Sequence, residues 1–267
     1  MTTVAALAPW LGGALGLSGV AVAASRRREL AVRWCAWAVG VPLITGAFWL
    51  GRPGAAALAV TAGVIAAVEY GGLLRLGRAD RAVLAAAVTG VVLAAWLAPS
   101  EVPRVLVIGA LAVAAVPLAA GDADGGLRRL GAGLLGLAWL SVLAALVPLG
   151  ASALAVFVAV SVADITAYFA GRRLGGPRLS PLSPAKRWSG TVAGAAAGVG
   201  VLVLLSAASW PAALAVAVGG PAGDLVESMI KRGARVKDAG SWLPGSGGLL
   251  DRVDSLLGAL AILVVLS

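Results

Sequence analysis

Apolar runs of near-constant length, separated by short polar stretches, recur along the whole chain. They fall near residues 4–24, 31–50, 54–74, 82–98, 103–120, 130–148, 151–170, 191–209, 211–227 and 249–266. About 20 helical residues are needed to cross the hydrocarbon of a bilayer, and these runs lie close to that length. A membrane barrel would show segments of about ten residues with alternating polarity instead. Lipid also requires backbone groups to be satisfied within a segment, which a helix achieves. The pattern therefore predicts an all-α, polytopic integral membrane protein with about nine to ten transmembrane helices. The runs 191–209 and 211–227 are joined only by a turn at Trp210-Pro211, and the second fades into polar residues at Gly223 and Asp224. A re-entrant segment would give nine crossings; ten is the count adopted. The helices form a single integrated domain, with an N-terminal set over 1–150 and a C-terminal set over 151–267 that carries the chemistry.

Composition agrees and narrows the class. Of 267 residues, 12% are charged and 60% hydrophobic, about half the charged share of a soluble domain. Charge this sparse cannot coat a water-facing surface, so lipid is the expected solvent. No polar stretch is long enough for a soluble domain. Abundant Gly and Ala suit close helix packing in lipid. The net charge of +9 lies in short loops between apolar runs, which points to topology and to anionic headgroups or phosphates rather than nucleic acid. Cys35 is the sole cysteine, so no intramolecular disulfide is possible. Histidine is absent, which removes the commonest general base and a common zinc ligand.

Orientation follows from the basic residues. Alternate loops carry Arg26, Arg27, Arg28 and Arg33; Arg75, Arg78 and Arg81; Arg128 and Arg129; Arg172, Arg173, Arg178, Lys186 and Arg187; and Lys231, Arg232, Arg235, Lys237 and Arg252. That side holds 19 basic residues, and the opposite side holds Arg52 and Arg104. The rich side is expected to be cytoplasmic, which puts both termini outside. The first run has its arginines after the apolar stretch, the reverse of a signal peptide, so a retained first helix is expected.

Two stretches on the basic side break the apolar pattern. One runs from Asp164 through Arg172 and Arg173 to Gly190. The other runs from Gly223 to Asp254 and holds five of the twelve acidic residues, Asp224, Glu227, Asp238, Asp251 and Asp254. Carboxylates supply the hard oxygen ligands that Mg2+ prefers, while Lys and Arg neutralise phosphates. The run Pro244-Gly245-Ser246-Gly247-Gly248 lets backbone N–H groups approach phosphate oxygens. Most juxtamembrane basic residues are topology anchors, and neighbouring Asp and Arg are often solvated pairs. Asp164 and Asp224 sit at the ends of apolar runs, where an unpartnered acid is costly, and so are functional candidates. Glu69 invites the same argument more weakly, since a nearby Arg would also explain it.

The order Ser228-Met229-Ile230-Lys231-Arg232, Lys237-Asp238-Ala239-Gly240, Leu243-Pro244-Gly245-Ser246-Gly247-Gly248, Asp251-Arg252-Val253-Asp254 resembles the signature of the phosphatidate cytidylyltransferase (CDP-diacylglycerol synthase) family. Gly223-Asp224-Leu225 and Glu227 extend it. Asp164, Ala167-Tyr168, Gly171-Arg172, Ser183-Pro184, Lys186, Trp188 and Gly190 resemble a second family motif; the N-terminal half agrees only in being hydrophobic, with Glu69-Tyr70 as an echo. The motifs cover residues 160–258. The resemblance implies that CTP and phosphatidate give CDP-diacylglycerol and pyrophosphate, at a bacterial cytoplasmic membrane with the active site facing the cytoplasm. It implies Mg2+ held by Asp224 and Asp251, and leaves room for a second cation such as K+ and for a homodimer. Asp224, Asp251, Lys237, Asp238, Arg252 and Asp254 then form the catalytic set. Ser228, Lys231, Arg232, Lys186, Arg172, Ser183, Gly247 and Gly248 contact substrate phosphates.

Three positions depart from the pattern: Ser246 where the family has His, Arg187 where it has Thr, and Ser189 where it has Glu or Gln. The chemistry tolerates a missing histidine, because a phosphate monoester with a second pKa of about 6 is already an anion at neutral pH. The departures leave open a cytidylyltransferase acting on another lipid, or a CTP-dependent kinase of a long-chain alcohol. A transporter would place its acids near mid-span within duplicated halves, and neither feature is present.

Overall fold

The computed structural model describes residues 3–25, 28–236, 239–240 and 247–266. Ten helical stretches follow one another in the places the apolar runs predict: α1 Val4–Ser25, α2 Arg28–Trp49, α3 Arg52–Leu73, α4 Arg78–Leu97, α5 Val102–Ala119, α6 Gly126–Leu149, α7 Ala151–Leu174, α8 Trp188–Leu204, α9 Trp210–Gly233 and α10 Leu250–Leu266. Among the described residues, seven helical segments are long and apolar enough to cross a membrane: α1, α3, α4, Pro99–Ala119, α6, α7 and α9. In α2 and α8 the apolar lengths are shorter, Trp34–Trp49 and Trp188–Leu204. Large apolar side chains such as Leu17, Leu111, Leu118 and Val265 are exposed, as a lipid-facing surface requires. The all-α reading holds, with one addition. Arg178–Ser180 (β1) and Ser183–Arg187 (β2) pair as a short antiparallel hairpin between α7 and α8. Pro181 and Pro184 and the scattered charges of this stretch hide its strands from a pattern search.

Two helices change pitch where proline demands it. In α6 a 3-10 segment, Ser141–Ala145, precedes Pro148, and in α9 a π segment, Ala215–Gly219, precedes Pro221. Proline lacks the N–H that would bond four residues back, so the preceding turn rewinds to tighter or wider bonding. The wide turn in α9 lies immediately before Asp224.

Basic residues at the helix ends also have structural work. The Arg129 guanidinium bridges Asp80 at 2.9 Å and Asp122 at 2.8 Å, tying the start of α4 to the start of α6. Hydrogen bonding to Arg129 and to the Gly125 amide holds the Asp122 carboxyl below the usual carboxylate range. Arg52 donates to the Ala95 and Trp96 carbonyls at the end of α4, at 3.2 and 3.3 Å, a favourable place for a cation.

Small residues bring the last helices into backbone contact. Gly190, Gly194 and Gly198 form a stripe on α8 that faces Ala167, Ala163 and Ala159 of α7. A Cβ at Gly194 would lie 2.6 Å from the Ala163 carbonyl oxygen. In α9, Gly219 and Gly223 pack on Gly258 of α10; a Cβ at Gly223 would meet the Asp254 carbonyl and lie 2.8 Å from the Gly258 nitrogen. Van der Waals contact of this kind drives helix association where lipid is as apolar as the side chains.

Replacing Gly194 with Leu should force α7 and α8 apart at an overpacking cost of about 1–3 kcal/mol. Thermal unfolding of the detergent-solubilised protein should therefore shift down. Gly200→Leu on the same helix, where nothing lies within 4 Å of an added Cβ, should leave the transition in place.

Candidate active site

The end of α7, the hairpin, the start of α8, α9 and the start of α10 enclose a cavity of about 700 Å3. Asp164, Asp224, Asp251, Asp254, Lys186, Arg172 and Ser183 all line it, together with the apolar side chains of Val160, Ala163 and Val216. The two polar stretches of the sequence thus meet at one place.

Local geometry explains how the acids converge. Asp224, Glu227, Ser228 and Lys231 are spaced three and four apart on α9 and so share a face. The Gly223–Gly258 contact presses that face against the first turns of α10, where Asp251, Asp254 and Ser255 lie on the side turned to the cavity. Asp224, Glu227 and Asp254 end with carboxylate oxygens within 4.8 Å of one another. Glu227 is completely buried, with its carboxylate close to that of Asp254.

Two ammonium groups partly balance this charge. Lys231 pairs with Glu227 and lies 2.9 Å from Asp251 Oδ1. Lys186, carried by β2, pairs with Asp224. Burial pushes the Lys186 ammonium below the usual lysine range, while Asp164 and Asp254 act in the opposite sense. Asp164 itself is hydrogen bonded by Ser255. Asp164, Asp224, Asp251 and Asp254 line the cavity with Lys186, Arg172 and Arg187, while Glu227 and Lys231 pair beside them. Glu227 Oε1 is also buried without a hydrogen-bond partner, an expensive arrangement that a cation would relieve. A hard oxygen donor set of this kind suits Mg2+.

The remaining candidates are placed differently. Asp251 lines the cavity, but its Oδ2 accepts the Ala239 and Gly248 amides at 2.9 and 2.8 Å. The Gly248 N–H, anticipated as a phosphate donor, is thus directed at Asp251. Ser228 is buried beside Glu227, and Arg232 is exposed outside the cavity lining. Arg252 lies on the opposite side of α10 from Asp251 and Asp254, against a second, apolar cavity of about 230 Å3. Gly247 adopts a left-handed backbone, φ 77°, which favours glycine. Lys237, Asp238 and Ser246 lie outside the described residues. Arg187 and Ser189, two of the departures from the motif, tie down the hairpin: Arg187 donates to the Gly176 carbonyl at 2.7 Å, and the Ser189 hydroxyl donates to the Gly175 carbonyl.

Sequence reasoning quoted Glu227 within the motif but gave it no role. Its spacing of one helical turn from Asp224 was the available signal. Glu69 had a weaker signal, a single acid near the end of an apolar run, and nothing in the pattern indicated its partners.

Comparison with known proteins gives the arrangement a context. The profile of the cytidylyltransferase family matches residues 31–267. Over 116 residues the chain is 49% identical to a phosphatidate cytidylyltransferase of Brucella abortus, covering 40% of this chain and 43% of that one. It is 45% identical over 116 residues to phosphatidate cytidylyltransferase 4, chloroplastic, of Arabidopsis thaliana, with 39% and 30% covered. A phosphatidate cytidylyltransferase of Pseudomonas aeruginosa is 41% identical over 166 residues, with 56% and 61% covered. The chain thus spans less than two thirds of the length of these relatives.

A divalent cation should raise the unfolding temperature of the solubilised protein, because a ligand at 100 times its Kd stabilises by about 2.7 kcal/mol. The thermal shift between Mg2+ and chelator should largely vanish in Glu227→Gln, which retains the volume of the side chain and loses the charge.

Proposed function

This chain belongs to the cytidylyltransferase family, and from that premise we propose that it transfers the CMP moiety of CTP to phosphatidate, giving CDP-diacylglycerol and pyrophosphate. One observation carries the reading: three clustered carboxylates, one of them fully buried and paired with Lys231, meet Lys186 at a cavity lined by Asp224 and Asp254. A nucleotide triphosphate and an anionic lipid repel each other. Bringing them together therefore needs dense positive charge held at a membrane surface.

In this reading Asp224, Glu227 and Asp254 would hold Mg2+, which when bound supplies charge neutralisation to the triphosphate. The protein's own groups do the rest. Lys186 and Lys231, already gathered by the carboxylates, are released toward phosphate oxygens as substrate enters. Val160, Ala163 and Val216 offer the non-polar part of the lipid an apolar wall beside the charges. An oxygen of the lipid phosphate forms a bond to the α-phosphorus of CTP as the bond from that phosphorus to the bridging oxygen breaks. The electron pair leaves with pyrophosphate. The attacking oxygen carries no proton at neutral pH, since the second pKa of the monoester is about 6. No general base is required, which accords with a chain that lacks histidine. Catalysis then rests on placement and charge.

The reading extends to topology. We place the cavity at the cytoplasmic face, with α2, α8 and α10 completing ten crossings, because the basic residues gather on that side of the chain.

Purified protein supplied with CTP, Mg2+ and phosphatidate should form CDP-diacylglycerol and pyrophosphate in equal amounts, read by mass spectrometry of lipids and a pyrophosphate assay. Release of CDP with a phosphorylated lipid alcohol would instead identify a kinase, and no CDP-lipid from any lipid phosphate would reject the proposal. Asp224→Asn and Asp251→Asn should each lower turnover by about 100-fold or more, the scale on which loss of aligned charge acts. Neither should prevent folding, as judged by the unfolding transition.

A further inference from the structure

Glu69 lies outside the cavity, near the end of α3, yet it reaches the segment that leads into the catalytic part of α10. Its Oε1 accepts the Leu249 N–H at 2.9 Å, and its Oε2 accepts the Leu250 N–H at 2.7 Å. The first N–H groups of a helix have no acceptor within the helix, and a negative charge there also complements the helix dipole. The carboxylate fills a second role sterically. A Cβ at Gly248 would lie 2.5 Å from Glu69 Oε1 and 2.7 Å from Oε2, and one at Gly240 would lie 2.9 Å from Oε1. These two glycines are therefore places where the backbone closes directly onto the Glu69 carboxylate.

What this clamp holds is the support of the site. The Gly248 N–H donates to Asp251 Oδ2 at 2.8 Å, as does the Ala239 N–H at 2.9 Å. The other Asp251 oxygen takes Lys231 at 2.9 Å, and Lys231 pairs with Glu227 of the carboxylate cluster. Through the backbone of residues 248–250, these contacts connect Glu69 to the metal-binding candidates, over a sequence separation of 180 residues at the first step. The base of the clamp is itself rigid. The adjoining Tyr70 is fully buried, donates its hydroxyl to the Ala132 carbonyl at 2.6 Å, and packs edge-on to Trp139.

We infer that Glu69 is a positioning residue for the proposed cytidylyl transfer: it fixes Gly248 and the first turn of α10, so that Asp251 and Lys231 are held in register with the carboxylate cluster. The inference rests on the cytidylyltransferase reading for its consequence in turnover, but not for the contact itself. Its carboxylate also occupies the amides at the start of α10, so phosphate neutralisation falls to the lysines of the cavity rather than to that helix end.

The test compares wild type, Glu69→Gln, Glu69→Ala, Gly248→Ala and the double variant Glu69→Ala/Gly248→Ala, each as the full chain in detergent. Turnover with CTP, Mg2+ and phosphatidate is measured together with hydrogen–deuterium exchange and the unfolding transition. Glu69→Gln keeps the shape but turns one acceptor into a donor facing an N–H. It should lower kcat by about 10- to 100-fold, as a misplacement of about 1 Å does, with KM for phosphatidate changed by less than about twofold, because Glu69 does not line the cavity. Deuterium uptake should rise in peptides covering 247–253 and stay constant in those covering α4 and α5. Gly248→Ala should be impaired as well, and the double variant should be no worse than Glu69→Ala alone, since removing the carboxylate makes room for the new methyl group. Losses that multiply in the double variant would overturn the inference. So would uniformly raised exchange, or full turnover in Glu69→Gln with a loosened 247–253 segment. Should wild type make no CDP-lipid at all, the functional reading fails. The exchange data and the coupling of unfolding temperatures then still decide whether Glu69 clamps Gly248.

Discussion

Helices in a bilayer gain nothing by hiding leucine from lipid, so their association depends on how closely two backbones can approach. In this protein that approach occurs where α9 meets α10. Gly219, Gly223 and Gly258 remove every Cβ from the crossing, and main-chain atoms of the two helices touch. The charged end of the site is a consequence of this contact. Asp224 and Glu227 follow directly after Gly223, and Asp254 comes one turn before Gly258. Once the glycines are in contact, three carboxylates are forced within 4.8 Å of one another. A larger side chain at the crossing would separate the acids before it disturbed any single hydrogen bond.

Forcing like charges together is costly, and the surrounding structure offsets that cost. Lys231 and Lys186 arrive from different elements, one turn further along α9 and from the hairpin. Arg172 and Arg187 add positive charge to the cavity lining beside Lys186. Glu227 Oε1 is buried without a hydrogen-bond partner. A divalent cation held by these carboxylates, as proposed, would link ion binding to the folding of this region. The hairpin has a related place in the architecture. It is too short to form a core, and it is anchored to the 175–176 turn by Arg187 and Ser189, which sets Lys186 over the acids.

The first turn of α10 separates two environments. Asp251, Asp254 and Ser255 face the polar cavity, while Leu249, Arg252, Val253 and Leu256 face an apolar one. Glu69 and Tyr70 connect this wall to the N-terminal helices, whose buried residues belong to the same hydrophobic core as those of α7 to α10. The N-terminal helices thus bear on the placement of α10, while the described residues that line the cavity all lie from Val160 onward.

Helix content and the positions of the ten helical stretches were legible in the sequence, because lipid imposes a length and a polarity on each segment by itself. The two stretches that break the apolar pattern, which hold Asp164, Lys186, Asp224, Asp251 and Asp254, were legible too; their meeting at one cavity belongs to the tertiary structure. Tertiary structure alone decided the rest. Asp251 and Asp254 face one cavity and Arg252 the other because of how α10 is rotated against its neighbours, which no local pattern records. Glu227 becomes a member of the carboxylate cluster only when α10 closes on α9. Glu69 finds its partners 180 residues away. Periodicity reports which face of a helix leaves water or lipid, and contacts between distant helices report what that face meets.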